Sequence, residues 1–599
     1  MIGFPDGMGD LLLPGTRRKL AISLVGSVLI SLLDMFGVLA MLPMMQLIAG
    51  APVDQGALGL VGDLLGGDPS QRTLVVSLAG FIVGAFIVKD VASIVFRIWQ
   101  LRFMADQEVA TSTRILRGYL VGPYAWHLAR NTGDKLWTID GAVAMGFATG
   151  IGAALSLATE VFTIVLIFVG LLIATPFAAL VALVYFGVSG VALQRLIRQR
   201  VRDAAERNQA ASRITATASL QALGAFKEIK LRSAEDQFVV RYRRARHVAA
   251  HSRASAVFLN ELPKYLLEIV FVFGIALLAF VVTSTSNAQQ GIVTLGLFVA
   301  AGSRILPSTV RLIAALGGVR FSRPPLEHLI RENRMQVEAE REQVTRRRTD
   351  GVPQGDVEVR GVTFAYEDQP DDLVLSGVDA TIRAGTSVAV VGSSGAGKTT
   401  FVDLLLGLHQ PREGTVTAGG VPVFDNLPAW QAGLAVVPQE VYLLDDSLRV
   451  NIAFNETQDE DRLQDALARA QLTDLVASMP DGLNSEVGER GVRLSGGQRQ
   501  RIGIARALYR KPGVLVLDEA TSALDNETER RLTETIESLK GSVTMLIVAH
   551  RLSTVRHCDQ LLFMSGGKVV SHGTFEEVLS ANAEFARLVA LGSLETVGS

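Results

Sequence analysis

Read for the spacing of its apolar and polar positions, the chain changes grammar near residue 320. Before that point apolar residues run on with neither a two-residue nor a helical alternation, for lengths that match the roughly 20 residues a helix needs to cross a bilayer. The runs lie at about 20–48, 73–98, 141–173, 177–194, 263–283 and 291–317, and they predict six membrane-spanning helices. Only Ala174-Thr175-Pro176 parts the third from the fourth, and the proline marks a tight return. After residue 320 short apolar runs alternate with longer amphipathic ones, the pattern of an α/β domain with a largely parallel sheet. The predicted organisation is a membrane domain over 1–320, a linker over 321–354 containing the charged RENRMQVEAEREQVTRRRTDG, and a soluble domain over 355–599.

Basic residues orient the spans. The segment 195–250 holds thirteen Lys or Arg, and 99–140 adds Arg102, Arg114, Arg117, Arg130 and Lys135. The loops 49–72 and 284–290 carry almost none, so the basic side and both termini are expected in the cytoplasm. Arg17-Arg18-Lys19 is followed by an apolar run too long for a signal peptide, so the first span is expected to remain as an anchor. Leu58, Leu60, Val61, Leu64 and Leu65 stripe the outer loop as a short surface helix, with an irregular glycine-containing loop as the alternative. A net charge of −2 gives no overall basic character, so no nucleic-acid partner is expected. The single cysteine, Cys558, excludes an internal disulfide and a cysteine-built metal cage.

Chemistry enters at GSSGAGKT, 392–399, between the strand-like SVAVV and the helix-like FVDLLLGL. Gly392, Ser393, Ser394, Gly395, Ala396 and Gly397 form a turn whose backbone N–H groups can curl round phosphates at a helix N-terminus. Lys398 neutralises β- and γ-phosphate charge, and Thr399, followed by Thr400, offers a hydroxyl to Mg²⁺. VLVLDE, 514–519, is a buried strand ending in two carboxylates: Asp518 for the metal, Glu519 to polarise the attacking water. LSGGQ, 494–498, opens a further helix and makes a second anion-receptive N-terminus.

These motifs, in this order, resemble the nucleotide-binding domain of ATP-binding cassette proteins over residues 355–590. The resemblance implies ATP and Mg²⁺ as ligands. It also implies that Tyr366 stacks on adenine, that Gln439 in VVPQE is the Q-loop glutamine and a metal contact, that Ser522-Ala523-Leu524-Asp525 is the D-loop, and that His550 is the switch histidine. It implies a dimer in which Ser495, Gly496, Gly497, Gln498 and Asp525 of one copy complete the site on the other, and VGERG (Val487 to Gly491) as the exporter-type segment that touches membrane helices. With Lys398, Ser495, Asp518, Glu519 and His550 all present, a homodimer of half-transporters is favoured over a heterodimer. Six spans fused ahead of the ATPase resemble the exporter class, with 120–133 and 215–228 as candidate coupling turns.

Charges within the spans bear on the cargo. Arg304 and Arg311 lie seven residues apart in the sixth span, on nearly one face, with Arg304 about 18 Å along the helix. Such residues face a cavity or a partner, and Asp34 and Glu160 are available partners. Arg253 and Lys264 accompany them, with Glu261, Lys264 and Glu268 at helical spacing, able to neutralise one another. Guanidinium groups suit bidentate phosphate contacts. SLLDMFGVLAMLPMMQLI, GAFKEIKLRSAEDQFVVRY and SRILPSTVRL resemble segments of bacterial flippases for lipid-linked oligosaccharides. That resemblance implies an amphipathic polyprenyl-pyrophosphate glycan carried across the bacterial inner membrane. A peptide, drug or phospholipid exporter is the alternative, and an ATP-gated channel or regulator a third reading.

Overall fold

The structure, a computed structural model, describes residues 6–12, 15–48, 71–174, 176–285, 288–345, 353–454, 456–518, 526–549 and 555–595. Two compact units divide the chain: Met1–Gly122 with Trp126–Glu340, and Pro123–Ala125 with Arg341–Ser599.

Six long helices build the first unit: α1 (Thr16–Ile48), α2 (Gln71–Val121), α3 (Gly152–Ala174), α4 (Pro176–Gly224), α5 (Glu235–Thr285) and α6 (Ala288–Thr345). The 51 residues of α2 make about 76 Å of helix at 1.5 Å per residue, against a hydrocarbon core of about 30 Å. The predicted spans are thus parts of longer helices that run on through polar sequence. Among the described residues three segments are long and apolar enough to cross a membrane: Thr16–Gly37, Arg72–Val121 and Thr132–Gly170. The apolar stretches of the other three predicted spans include residues whose side chains are not described. The outer 49–72 loop lies outside the described residues up to residue 70.

Residues 321–345, expected to be linker, are instead the end of α6. Leu326, Leu329 and Ile330 recur at i, i+3 and i+4 and bury themselves beside Ile115, Phe147 and Trp137, so an apolar face persists inside a stretch dominated by charge. The approach to α3 is wound differently from any periodicity in the sequence. The short helix Thr132–Leu136 passes into π-helical turns over Trp137–Ala142 and Met145–Ile151 before α-winding resumes at Gly152. Here α6 rests almost on backbone: a Cβ at Gly146 would meet the Leu326 side chain at 3.0 Å, and one at Gly150 the Ser322 hydroxyl at 2.6 Å.

Hydroxyl groups join α1 to its neighbours. Ser23, Ser27 and Ser31, one turn apart, are all fully buried. Ser27 Oγ lies 2.7 Å from Thr159 Oγ1 and Ser31 Oγ 2.8 Å from Thr163 Oγ1 on α3, while Gln100 Nε2 on α2 donates to Ser23 Oγ at 3.0 Å. In lipid, apolar contact does not distinguish helix from solvent, so small residues and such hydrogen bonds hold helices together.

The second unit contains β1 (Val357–Phe364), β2 (Leu375–Ile382), β3 (Ser387–Gly392), β4 (Glu413–Ala418), β5 (Val421–Pro422), β6 (Leu434–Val437), β7 (Val514–Asp518), β8 (Thr544–Val548), β9 (Gln560–Ser565) and β10 (Lys568–Gly573). An antiparallel sheet has the order β2-β1-β4-β5; the larger one runs β10-β9-β3-β8-β7-β6, parallel except for β10. Its strands read as continuous apolar runs because both faces are covered. Ala389, Leu515, Ile547 and Phe563 enter one core, while Val388, Val390, Val516, Val548 and Met564 enter the other. Helices α7 (Lys398–Leu405), α8 (Gly496–Tyr509) and α9 (Asn526–Leu539) follow β3, precede β7 and precede β8 in turn.

Candidate nucleotide-binding site

The parallel sheet aligns its functional groups at the carboxyl ends of its strands, where α/β sheets bind ligands. Val548 of β8 pairs with Val390 of β3 on one side and with Asp518 of β7 on the other, so Asp518 stands level with Val390, two residues before the end of β3 and two strands away, or about 10 Å. Gly392 has no room for a side chain, since a Cβ there would meet the Met564 carbonyl oxygen at 2.2 Å. The chain then turns through Ser393, Ser394, Gly395, Ala396 and Gly397. Gly395 (φ 79°) and Gly397 (φ 92°) take left-handed conformations that glycine adopts without strain, and Gly397 caps α7. Lys398 is buried, and its ammonium donates to the carbonyls of Gly392 (2.9 Å) and Ser393 (3.0 Å), so it bridges the loop. Thr399 is exposed, whereas Thr400 is buried and its hydroxyl lies 3.1 Å from that of Tyr366. Gln439, just beyond β6, is exposed, and Asp518 is half-buried.

Asp403, one turn along α7, escaped the sequence reading. Burial, reinforced by the charge of Asp518, pushes its carboxyl up to about 6. The available signal was a carboxylate inside the otherwise apolar FVDLLLGL. Hydroxyl, carboxylate and amide oxygens are the donors a hard divalent cation takes, and a bridging lysine beside positive-φ glycines suits a polyphosphate. The residues present therefore fit a magnesium nucleotide, with Thr399, Gln439 and Asp518 as the groups that would hold the metal.

LSGGQ folds for a definite local reason. Ser495 is the N-cap of α8: its hydroxyl accepts from the Gln498 N–H (3.2 Å), and the Gln498 side-chain oxygen accepts from the Ser495 N–H (2.8 Å). Gly496 and Gly497 form the first turn between them. Gln498, expected to reach a nucleotide, thus has its amide oxygen committed to the cap. Further on, Arg506 donates to the Asn451 (2.8 Å) and Tyr442 (3.0 Å) carbonyls, and the Tyr509 hydroxyl donates to the Thr457 carbonyl (2.6 Å). In VGERG, Gly488, Arg490 and Gly491 all have positive φ. Glu519, Ser522–Asp525 and His550 lie outside the described residues.

Residues 375–522 match the family described as ABC transporter. The chain is 36% identical over 386 residues to an ATP-dependent lipid A-core flippase of Burkholderia orbicola, an alignment covering 61% of this chain and 62% of that relative. The relative of the same name from Bordetella pertussis is 32% identical over 572 residues, covering 90% of this chain and 87% of its own. The chain belongs to the ATP-binding cassette exporters. A bacterial Atm1-family ABC exporter with ATP bound superimposes with a TM-score of 0.79 at 23% identity, covering 95% of this chain and 98% of the other. This exporter is thus a multi-pass membrane protein whose helical domain precedes an ATPase domain, and it couples ATP hydrolysis to transport.

The exporter's intramembrane charges are largely engaged. Arg311 makes a bidentate pair with Glu160, Nε at 2.5 Å and Nη2 at 3.1 Å, and reaches the Ser308 hydroxyl at 3.1 Å. Asp34 pairs with Lys89 of α2 at 3.0 Å, and Lys89 also holds the neighbouring Asp90 at 2.9 Å. Lys89 and Asp90 are charges in the second predicted span that the sequence reading passed over, though the rule applied to Asp34 exposes them. The side chain of Arg304 lies outside the described residues. The Lys264 ammonium sits over the Tyr265 ring, 5.7 Å from its centroid, rather than on Glu261 or Glu268 among the described residues. Arg253 and Arg246 are exposed on α5 and line a groove of about 410 Å³ with Val257, Phe258 and Glu261.

Proposed function

We propose that this exporter is a lipid flippase that moves an amphipathic anionic glycolipid from the cytoplasmic to the outer side of the bacterial inner membrane, with a polyprenyl-pyrophosphate-linked oligosaccharide as cargo. The groove on α5 carries the reading: two guanidinium groups stand beside Val257 and Phe258, a juxtaposition that suits a phosphate joined to a hydrocarbon chain. Arg304, Arg311, Lys264 and Asp34 belong to the same proposed route, Arg311 and Asp34 through their pairs with Glu160 and Lys89. The names of the relatives favour a second cargo of related chemistry, an acylated sugar phosphate of the lipid A-core kind.

Two copies of the chain act together in this proposal, with both termini and the ATPase domain in the cytoplasm. Lys398 and the N–H groups of the 393–397 loop bind phosphate oxygens, Tyr366 stacks on the base, and Ser495 with Gly496 and Gly497 of a second copy closes over them. Glu519 orients and polarises the attacking water, and His550 and Gln439 sense the γ-phosphate. Thr399, Gln439 and Asp518 would hold Mg²⁺, which would supply charge neutralisation for the bound polyphosphate.

The deciding experiment reconstitutes the full chain in proteoliposomes with polyprenyl-pyrophosphate glycan, lipid A-core lipid, peptides or drugs. Stimulated hydrolysis and translocation are expected with the polyprenyl-linked glycan. Response to lipid A-core alone selects the second cargo, and response only to peptides or drugs overturns the glycolipid reading.

A further inference from the structure

Tyr366 follows β1 in a small aromatic cluster. Its ring meets Phe364 edge-to-face at 5.2 Å and 82°, and meets His409 edge-to-face at 5.5 Å and 87°. Phe364 and His409 in turn lie 5.0 Å apart. The Tyr366 hydroxyl, 3.1 Å from Thr400 Oγ1, ties the far end of the ring to the first turn of α7. Ring edges against ring faces are attractive and strongly directional. Tyr366 is therefore fixed at two points, its hydroxyl on the phosphate-loop helix and its ring on His409.

His409 meets one further ring, that of Tyr124, edge-to-face at 5.7 Å and 67°. It sits in the loop after α7, buried at 6% exposure, and its Nε2 has no hydrogen-bond partner among the described residues. An unsatisfied buried imidazole nitrogen costs stability, so the ring is held there by packing rather than by polar contacts. Burial also pushes its pKa below the ordinary histidine value, against the opposing charge of Glu367, so the ring is neutral and behaves as an aromatic wedge.

We propose that His409 is a positioning residue for ATP binding: resting on the assignment of Tyr366 as base platform, it sets the tilt of the Tyr366 ring so that the platform is ordered before the nucleotide arrives. No atom of His409 touches nucleotide in this role. Its effect is preorganisation, which strengthens binding and leaves the chemical step alone.

The test is steady-state ATP hydrolysis by the full chain in lipid nanodiscs. Tyr366→Ala is expected to raise KM for ATP at least tenfold, and an unchanged KM there overturns the base-platform assignment itself. Given that rise, His409→Ala is expected to raise KM about 3- to 10-fold with kcat within twofold of wild type. His409→Phe, which keeps a ring and removes the orphaned nitrogen, is expected to restore KM. His409→Leu, which fills the volume without a ring, is expected to behave like Ala, and it stands in should the alanine variant fail to fold. A normal KM in His409→Ala, rescue by Leu equal to that by Phe, or a loss confined to kcat would each overturn the proposal.

Discussion

Replacing Ser495 by alanine separates two jobs that one residue combines. Structurally the change removes one N-cap hydrogen bond, from the Gln498 N–H at 3.2 Å, at an exposed helix start. A lost serine cap costs about 1 kcal/mol, which in a domain of this size lowers Tm by roughly 2–4 °C. The helix does not depend on that cap alone, because Arg506 and Tyr509 bind it to the carbonyls of Asn451, Tyr442 and Thr457. Against a domain stability of about 5–15 kcal/mol, a loss of 1 kcal/mol leaves nearly all molecules folded. If the exposed hydroxyl also binds phosphate across a dimer, hydrolysis should fall about 10- to 100-fold, or roughly 1.4–2.7 kcal/mol of transition-state stabilisation. Gln498→Ala supplies the control. Its amide oxygen caps the Ser495 N–H at 2.8 Å, so a similar drop in Tm is expected with less than a threefold loss of activity. The measurements are thermal unfolding and ATP turnover on the same nanodisc samples. Ser495→Ala turning over at more than half the wild-type rate would refute the trans role, and equal activity losses in both variants would trace the effect to the cap.

Glu519→Gln should reduce hydrolysis at least a hundredfold while ATP still binds, and a variant of near-normal turnover would overturn the assignment of the polarising base. Arg304→Ala should abolish transport with basal hydrolysis retained, whereas failure of the protein to accumulate in the membrane would point to a structural pair. Arg311→Ala strands the nearly buried Glu160 carboxylate and should cost about 1–2 kcal/mol after allowance for the exposure of the arginine; adding Glu160→Gln should restore part of the loss, and a double variant no more stable than Arg311→Ala refutes the pairing argument. Burial pushes the Cys558 thiol up to about 12, so maleimide labelling of native protein at pH 8 should be far slower than in denaturant. The unfolded thiol releases its proton near pH 9 while the folded one keeps it. Its contribution to stability should therefore decline as pH rises from about 9 to 12, and fast native labelling at pH 8 would contradict the burial.

The ATPase site was legible because phosphate binding restricts residue type: turns that need left-handed backbone require glycine, as at Gly395 and Gly397, and a carboxylate at the end of a buried strand is otherwise costly, as at Asp518. Long apolar runs were legible because lipid demands them, and among the described residues three, Thr16–Gly37, Arg72–Val121 and Thr132–Gly170, are helical. Their ends were not, because helices such as α6 continue on an apolar face of three residues, Leu326, Leu329 and Ile330, under a charged surface. The π-helical turns from Trp137 to Ile151 change the number of residues per turn without changing composition. The partner of Asp34 was missed for a plainer reason: Lys89 lies within a run so apolar that its charge was averaged away. His409 and Asp403 carry no motif at all, and only the fold brings them to Tyr366 and Asp518.

The serine rungs of α1 repeat every four residues, and so do their threonine partners on the parallel helix α3. A ladder of identical rungs does not distinguish one register from the next. Slipped by one turn, about 6 Å, Ser27 would face Thr163 and Ser23 would face Thr159, so two hydroxyl pairs would form again, and Ser31 Oγ already lies 3.4 Å from the Thr159 carbonyl oxygen. Between α1 and α2 the contacts are singular instead: a Cβ at Gly26 would strike the Phe96 ring at 2.2 Å, and Asp34 finds its lysine at one height only. The first two helices are thus keyed together like a tooth in a slot, while the α1–α3 seam offers hydroxyl pairs in two registers one helical turn apart.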